Sequence, residues 1–324
     1  MFRRALTGAG IAPALLLGVA MSASGVGATA ARHTVQAMPI YRVHRDAGHA
    51  QLRFRRVSNL TYHGGQVETS PAIYIDFWGS WWNTTTTTGT DQGLSFTNAQ
   101  AKQYIQDFFT NVGGSSWDGV DAQYCQGVSL GTVSCGSAGT HIQNLIGQLK
   151  GVMVDATNAV PSSPTQSAIA GEAAYAAGRF GIPAAAQVGA TVMVFTPSGR
   201  SMSGFGTSWC AWHSVTTHSG ANLPYAYIPY QPDAQQSCGE NFINSADAYG
   251  NGYFDGFSVV GGHEYAEAET DPVTANGSYA WIDSSGSENG DKCAWNAASG
   301  DITLGAHSYA VQPIWSNSAS GCVL

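Results

Sequence analysis

One histidine and three glutamates stand close together in the C-terminal third of the chain, at His263, Glu264, Glu267 and Glu269. On a helix, His263 and Glu267 project from one face, roughly 5.4 Å apart along the axis. Glu264 lies beside His263, where its carboxylate could face a group held between the other two. His-Glu-x-x-His metalloproteases have this layout, with histidine in place of Glu267. The pattern predicts a zinc site with its general base; the alternative is a surface helix with an acidic face.

The residues around this motif predict where its helix lies. We expect a helix from Phe254 to Glu269, with Gly261-Gly262 as a flexible lead into the motif and Pro272 as its stop. Asp271 before Pro272 is expected to cap the turn that follows, and is a weaker metal-ligand candidate.

A catalytic zinc uses three protein ligands and keeps one position open for water. His263 and Glu267 supply two, and one helical face cannot surround the ion, so the third ligand must come from elsewhere. Glu288 is the predicted third ligand, because it stands in a polar, glycine-rich segment that Cys293 would hold in place. Glu264 is then the general base that takes a proton as water attacks a carbonyl.

Two further side chains near this set have open roles. Asp291 could be a ligand, or could orient His263 through its other ring nitrogen. His213 could enter the cleft as an oxyanion stabiliser or extra ligand; the alternative is a structural histidine held near a disulfide at Cys210. Because two of the predicted ligands are carboxylates, Mn²⁺ or Ca²⁺ is an alternative to Zn²⁺.

Two other chemistries remain open. A serine-based triad is not excluded, since its members are neighbours in space rather than in sequence, although no Gly-x-Ser-x-Gly motif is present. The cluster of Trp78, Trp81 and Trp82 could stack on sugar rings or form the edge of an aromatic core.

Hydrophobic runs alternate with amphipathic stretches along the chain. Alternation of this kind predicts a layered α/β domain with a mixed sheet. Strands are expected at 71–79, 189–195 and 223–229, the last at a sheet edge because of its prolines. Helices are expected at 99–112, capped by Thr97-Asn98, and at 165–177, ended by Gly178.

The N-terminal residues resemble a secretory signal peptide. Arg3-Arg4, an apolar run at 11–21 and Ala28-Thr29-Ala30 predict cleavage after residue 30 and a secreted product. Residues 31–66 are basic and are interpreted as a pro-segment or a disordered lead-in. Residues 67–324 form the expected single domain. No segment after the signal peptide approaches 18 uninterrupted apolar residues, so no membrane span is predicted in the mature chain.

Charge is distributed unevenly. Residues 57–324 hold 5 of the 13 lysines and arginines and 20 of the 21 acids, a net charge of about −15. Phosphate binding needs clustered cations, so this surface argues against nucleic acid as a partner.

Six cysteines in an exported chain predict three disulfides. Sequence proximity favours Cys125–Cys135, Cys210–Cys238 and Cys293–Cys322 among 15 connectivities. No Cys-x-x-Cys pair is present, so metal ligation by these residues is the weaker interpretation.

Several segments resemble the Exordium, or phosphate-induced, protein family and its bacterial secreted relatives. The matching segments are Tyr62-His63-Gly64-Gly65, Phe77-Trp78-Gly79, Cys210-Ala211-Trp212-His213, Pro224-Tyr225-Ala226-Tyr227, His263-Glu264-Tyr265-Ala266-Glu267, Thr270-Asp271-Pro272, Trp281 and Glu288-x-x-Asp291-x-Cys293. The resemblance implies an extracellular domain of zincin-like appearance and, in the plant members, a role in growth and wall-related signalling. Proteolysis is not an established activity of that family.

The sequence therefore favours a secreted, disulfide-bonded, zincin-like zinc peptidase whose substrate is a peptide or protein outside the cell. The alternative is a non-catalytic extracellular binding or signalling protein with a structural metal. A structural site would be closed by four protein ligands, with Asp291 as the fourth.

Overall fold

The computed structural model describes residues 36–39, 58–243, 252–274 and 278–324. The predicted signal peptide and most of the predicted basic segment lie outside these residues. Across the four described ranges, no helix is both long enough and apolar enough to cross a membrane.

The protein is a mixed α/β structure. Its α-helices are α1 (Asn98–Asn111), α2 (Gln166–Phe180) and α3 (Asp255–Thr270). Its strands, in chain order, are β1 (Gln36–Pro39), β2 (Thr61–Tyr62), β3 (Ala72–Trp78), β4 (Thr87–Asp91), β5 (Leu94–Thr97), β6 (Cys125–Gln126), β7 (Thr140–His141), β8 (Leu149–Asp155), β9 (Ala190–Phe195), β10 (Trp209–His218), β11 (Ala221–Ile228), β12 (Trp281–Ile282), β13 (Gly300–Leu304), β14 (His307–Val311), β15 (Ile314–Ser316) and β16 (Gly321–Val323).

A six-stranded mixed sheet forms the centre of the fold, in the order β1-β10-β11-β9-β3-β8. Strands β8, β3, β9 and β11 run parallel. Strand β10 pairs antiparallel with β11, and β1 pairs antiparallel with β10 at that side of the sheet. The other strands form two-stranded pairs around this sheet, including β2 with β12 and β13 with β14.

Helices cover both faces of the central sheet. Successive side chains of a strand point to opposite faces. On β9, Met193 and Phe195 accordingly join the core beneath α1 and α3, whereas Val192 and Val194 join the core beneath α2. Helix α3 is buried along its whole length, so the side chains of its motif lie inside the protein.

Local sequence explains the ends of the two outer helices. Of the predicted Thr97-Asn98 cap, Thr97 is the N-cap and forms a capping box with Gln100, whereas Asn98 is the first residue of α1. Helix α2 begins after Thr165 but continues past Gly178 to Phe180, so the predicted stop was wrong by three residues. The helix ends where Gly181 takes a left-handed conformation with φ of 68°, which glycine adopts without steric cost.

Strand β11 corrects another prediction. Its prolines suggested a sheet edge, yet it lies between β10 and β9. Pro224 pairs with Val215 of β10, whereas pairing with β9 begins only at the next residue, Tyr225. The missing N–H of Pro224 therefore falls where β9 offers no partner.

Three disulfides hold the loops of the fold, and their pairing confirms the predicted Cys125–Cys135, Cys210–Cys238 and Cys293–Cys322. Each is expected to stabilise the folded state by roughly 2–4 kcal/mol. Disulfides form and persist in oxidising compartments, which fits a chain that folds outside the reducing cytosol.

Two parts of the predicted basic segment belong to this structure. Residues 36–39 form β1 at the edge of the central sheet, and Thr61–Tyr62 pair with β12.

Candidate metal centre

Helix α3 carries three of the predicted site residues. The predicted flexible Gly261-Gly262 lead is wrong, because both glycines lie in the middle of α3. A Cβ at Gly261 would lie 3.4 Å from Phe109, and one at Gly262 would lie 3.2 Å from Trp117. The glycines therefore let α3 pack closely against α1 and the residues that follow it.

Strand β10 brings His213 to the same place. This histidine is 1% exposed and reaches three glutamates. Its Nδ1 lies 3.3 Å from Glu264 Oε2 and 3.4 Å from Glu267 Oε2, and its Nε2 lies 3.6 Å from Glu288 Oε1. His213 is thus part of the cluster that α3 and the 288–291 loop form.

The loop that carries Glu288 and Asp291 is fixed from several sides. Asn289 donates through Nδ2 to Asp121 Oδ1 at 2.8 Å and to the carbonyl of Ala266 at 3.2 Å. Gln312 donates to the carbonyl of Gly290 at 3.0 Å. The disulfide of Cys293, expected to hold this segment, closes the loop at its far end.

Glu267 is the residue shared by all parts of the cluster. Its Oε1 lies 3.1 Å from His263 Nε2 and accepts a hydrogen bond from the backbone N–H of Asp291 at 2.8 Å. Its Oε2 faces His213. Within this cluster, two sets of side chains have ligand atoms within 4.8 Å of one another, namely His213 with Glu267 and Glu288, and His263 with Glu267 and Asp291.

Six polar atoms of this cluster are buried and make no well-aligned hydrogen bond among the described residues: His213 Nε2, His263 Nδ1 and Nε2, Glu267 Oε2, and Glu288 Oε1 and Oε2. Four of them still lie 3.1–3.6 Å from an oppositely charged group of the same cluster. Leaving a buried polar atom unpaired costs about 1–3 kcal/mol, and more for a charged group. Nitrogen and carboxylate oxygen are the donors that Zn²⁺ and Mn²⁺ accept. The residues present therefore fit a divalent cation.

Burial and mutual charge govern protonation in this cluster. Burial disfavours the charged form of His263, but the neighbouring Glu267 carboxylate outweighs it and raises the pKa of His263 to about 9. Burial would raise the pKa of Glu267, yet the two histidines lower it to about 2. Burial raises the pKa of Glu288 well above its usual range. In this structure, protons on the histidines balance the negative charge of the carboxylates. A bound cation would balance the same negative charge.

The structure brings together every residue of the predicted site. His263, Glu267 and Glu288 are all fully buried, but they fall into two overlapping sets that meet at Glu267. Glu264, the predicted base, accepts from His213 Nδ1 at 3.3 Å and from the backbone N–H of Met38 at 3.4 Å.

The remaining candidate, Asp271, follows α3 directly. It is the residue after the last helical turn, and its Oδ1 accepts a hydrogen bond from the Ala280 N–H at 2.8 Å. Asp271 therefore ends α3, but its side chain holds the chain nine residues further on and not the turn itself. Burial raises its pKa to about 7.

Sequence reasoning missed a second group of acids beside the site. Asp118, Asp121, Glu269 and Glu68 are all buried, and burial raises the pKa of Glu269 well above its usual range, helped by Asp118 and Asp121. Asp121 reaches the site through its hydrogen bond with Asn289. Only Glu269 carried a signal, as the third carboxylate of the α3 motif.

Comparison with known proteins adds no relative. A scan against protein-family models, a search of curated proteins and a search of solved structures each returned no match.

Proposed function

We propose that this chain is a secreted, metal-dependent peptidase of zincin-like design. The observation that carries the proposal is that buried nitrogen and oxygen atoms of two histidines and two glutamates face one another without well-aligned hydrogen bonds, next to a further glutamate. The ligands would come from His213, His263, Glu267, Glu288 and Asp291, and Glu264 would be the general base.

The two histidines favour zinc. Because carboxylates outnumber histidines in the donor set, Mn²⁺ and Ca²⁺ are the alternatives. When bound, zinc would lower the pKa of a coordinated water to about 7 and polarise a substrate carbonyl.

The protein's own residues supply the proton transfers. Glu264 is fully buried, and His213 donates to its Oε2, which orients the carboxylate. A base in this position accepts a proton from the attacking water and passes it to the leaving amide nitrogen. The peptide C–N bond breaks, a C–O bond forms, and the products are a carboxylic acid and an amine.

The resemblance to the Exordium family supports an extracellular location and the choice of these residues. The motif residues that carry it are His263, Glu264, Glu267, Glu288 and Asp291. It supports no particular reaction, so peptide hydrolysis depends on the chemistry of the site.

A second candidate function has its own observation in favour. A structural metal site is closed by four or more protein donors, whereas a catalytic one keeps an open position. His213, His263, Glu267 and Glu288 are each no more than 1% exposed, and Asp291 adds a further donor. A non-catalytic extracellular binding protein would have such a closed site.

Metal content and peptide cleavage of the wild type and of Glu264→Gln distinguish the two functions. We expect the wild type to hold stoichiometric metal and to cleave a casein or peptide substrate. Glu264→Gln should keep the metal and lose cleavage at least about a hundredfold, as removal of a general base does. Unchanged cleavage removes Glu264 from the mechanism, metal without cleavage in either protein favours the binding protein, and absence of bound metal rejects the site.

A further inference from the structure

Strand β1 lies directly on the candidate metal centre. It pairs antiparallel with β10, placing Gln36 opposite His213 and Met38 opposite Ala211. It is the outermost strand on that side of the sheet. Without β1, β10 would present an unpaired strand edge beside His213, and such an edge is a template for binding another extended chain.

Three contacts hold β1 besides its pairing. The Met38 side chain is fully buried in the core that includes α3, whereas Ala37 and Pro39 are exposed. The backbone N–H of Met38 donates to Glu264 Oε1 at 3.4 Å. The indole N–H of Trp295 donates to the Pro39 carbonyl at 2.6 Å.

These contacts are those a peptide substrate needs. An extended backbone is bound by the strand edge, one side chain fills a buried pocket, and a peptide nitrogen lies at the general base. In hydrolysis, the base must reach the leaving nitrogen to give it a proton. The nitrogen of Met38 occupies that place beside Glu264.

We propose that the edge of β10 that β1 covers, together with Glu264 and Trp295, is the substrate-binding subsite, here named the β10 edge site. It binds extended peptides that carry an unbranched apolar side chain, such as methionine, directly after the scissile bond. In the uncleaved chain, residues 36–39 occupy the β10 edge site and block it. The reaction stage of this inference rests on the peptidase function proposed above, whereas peptide binding does not.

The same contacts explain why the bound segment blocks the site. Both oxygens of Glu264 are engaged, Oε1 by the Met38 N–H and Oε2 by His213. While residues 36–39 stay in place, no second peptide can pair with β10 or reach Glu264. The register with β10 shifts between Met38 and Pro39, and Pro39 pairs with Trp209.

The test uses the full chain carrying Met38→Glu, with Ala37→Glu as its matched control. A carboxylate at the Met38 position would be a charge buried without a partner and should expel β1, whereas the same change at the exposed Ala37 should not. Binding is measured by fluorescence anisotropy with a labelled peptide of residues 34–40, in a Glu264→Gln background that prevents hydrolysis. We expect at least about tenfold tighter binding to the Met38→Glu chain, since its site is no longer occupied.

Two results overturn the β10 edge site. One is equal affinity of the peptide for the Met38→Glu and Ala37→Glu chains, and the other is equal affinity of a second peptide in which glutamate replaces the methionine. Cleavage is measured separately, with Glu264 intact. Peptide binding without cleavage by Met38→Glu keeps the edge site and rejects the peptidase. Cleavage without methionine-dependent binding keeps the peptidase and rejects the edge site.

A second protein covers the case in which Met38→Glu fails to fold. A recognition site for a sequence-specific protease is placed between residues 40 and 57, and the folded chain is cut there. The labelled peptide should then exchange into the cut chain and not into the uncut one. If the cut segment that contains β1 dissociates and excess labelled peptide still does not bind in its place, the proposal is overturned as well.

Discussion

His213 Nδ1, on strand β10, lies 3.4 Å from Oε2 of the buried Glu267 on helix α3. The other oxygen of Glu267 lies 3.1 Å from His263 Nε2. Glu267 therefore lies between two histidines. In His-Glu-x-x-His metalloproteases the second histidine is at the position of Glu267 on the helix, whereas the second imidazole of the centre proposed here comes from His213 on β10.

Replacing His213 should weaken metal binding. We expect His213→Ala to lower the affinity for zinc by at least about tenfold, because it removes a nitrogen donor and leaves Glu288 with one neighbour fewer. Metal content after dialysis, measured by mass spectrometry, checks this. His218→Ala is the matched control, since His218 ends the same strand and is partly exposed. Equal metal content in the two variants would show that His213 is not a ligand.

Gly290 provides a test that leaves every donor in place. A Cβ there would lie 2.8 Å from His263 Nδ1 and 2.9 Å from Glu267 Oε1. Both groups would have to move, so Gly290→Ala should lose metal by at least about tenfold, as changes that displace ligands do. Its φ of −71° suits alanine, so backbone strain is not the cause.

Gly171→Ala is the control for that substitution. It lies on the exposed side of α2, where a Cβ would meet nothing within 4 Å. We expect this change to keep the metal and to stabilise the fold by about 0.5–1 kcal/mol, because alanine loses less backbone entropy in a helix. If Gly290→Ala binds metal as Gly171→Ala does, the 288–291 loop does not shape the site.

Removing the metal should destabilise the whole domain. A ligand present at about 1,000 times its dissociation constant contributes about 4 kcal/mol to the free energy of unfolding. We therefore expect a chelator to lower the thermal unfolding midpoint of the wild type, and excess zinc to restore it. Glu267→Gln, which alters the carboxylate common to both donor sets, should show little response to either reagent. Equal responses in the two proteins would contradict the proposed centre.

The sequence was sufficient for the elements with strong local signals. Strands β3 and β9 are continuous apolar runs, and helix α1 has its capping box, so all three lie where they were predicted. The three disulfides follow from cysteine spacing in the same way.

Strand β10 was missed for a physical reason. Its residues from Cys210 to Val215 are buried on both faces, so the alternation of apolar and polar residues that marks a half-buried strand is absent. His213 could for that reason be named only as a candidate. Which side chains meet Glu267 depends on how β10, α3 and the 288–291 loop pack, and contacts between such distant segments leave no periodic pattern in the sequence.

A further buried group of acids lies on the α2 side of the sheet and is expected to make stability depend on pH. Asp76 and Glu172 are buried with Asp155 close by. Burial raises the pKa of Asp76 to about 7, and burial together with the neighbouring Asp76 raises the pKa of Glu172 to about 9.

When folding raises the pKa of a carboxyl group, the native state keeps the proton at pH values where the unfolded chain has already released it. Its contribution to stability is complete below the unfolded pKa, which is 4.5 for Glu172, and is lost as pH rises towards about 9. The wild type should therefore lose stability between pH 5 and pH 9. Glu172→Gln, which cannot ionise and can still accept from Asn158, should lose less.

We expect the unfolding free energies of the wild type and Glu172→Gln to agree at about pH 5 and to differ by on the order of 1–3 kcal/mol at about pH 8. Urea unfolding at both pH values measures the difference, and Asp301→Asn, on the exposed side of β13, is the control. The control should follow the wild type at both values, because the Asp301 side chain is exposed to solvent. If Glu172→Gln also follows the wild type at about pH 8, Glu172 is ionised in the folded protein and the acids on this face are balanced in another way.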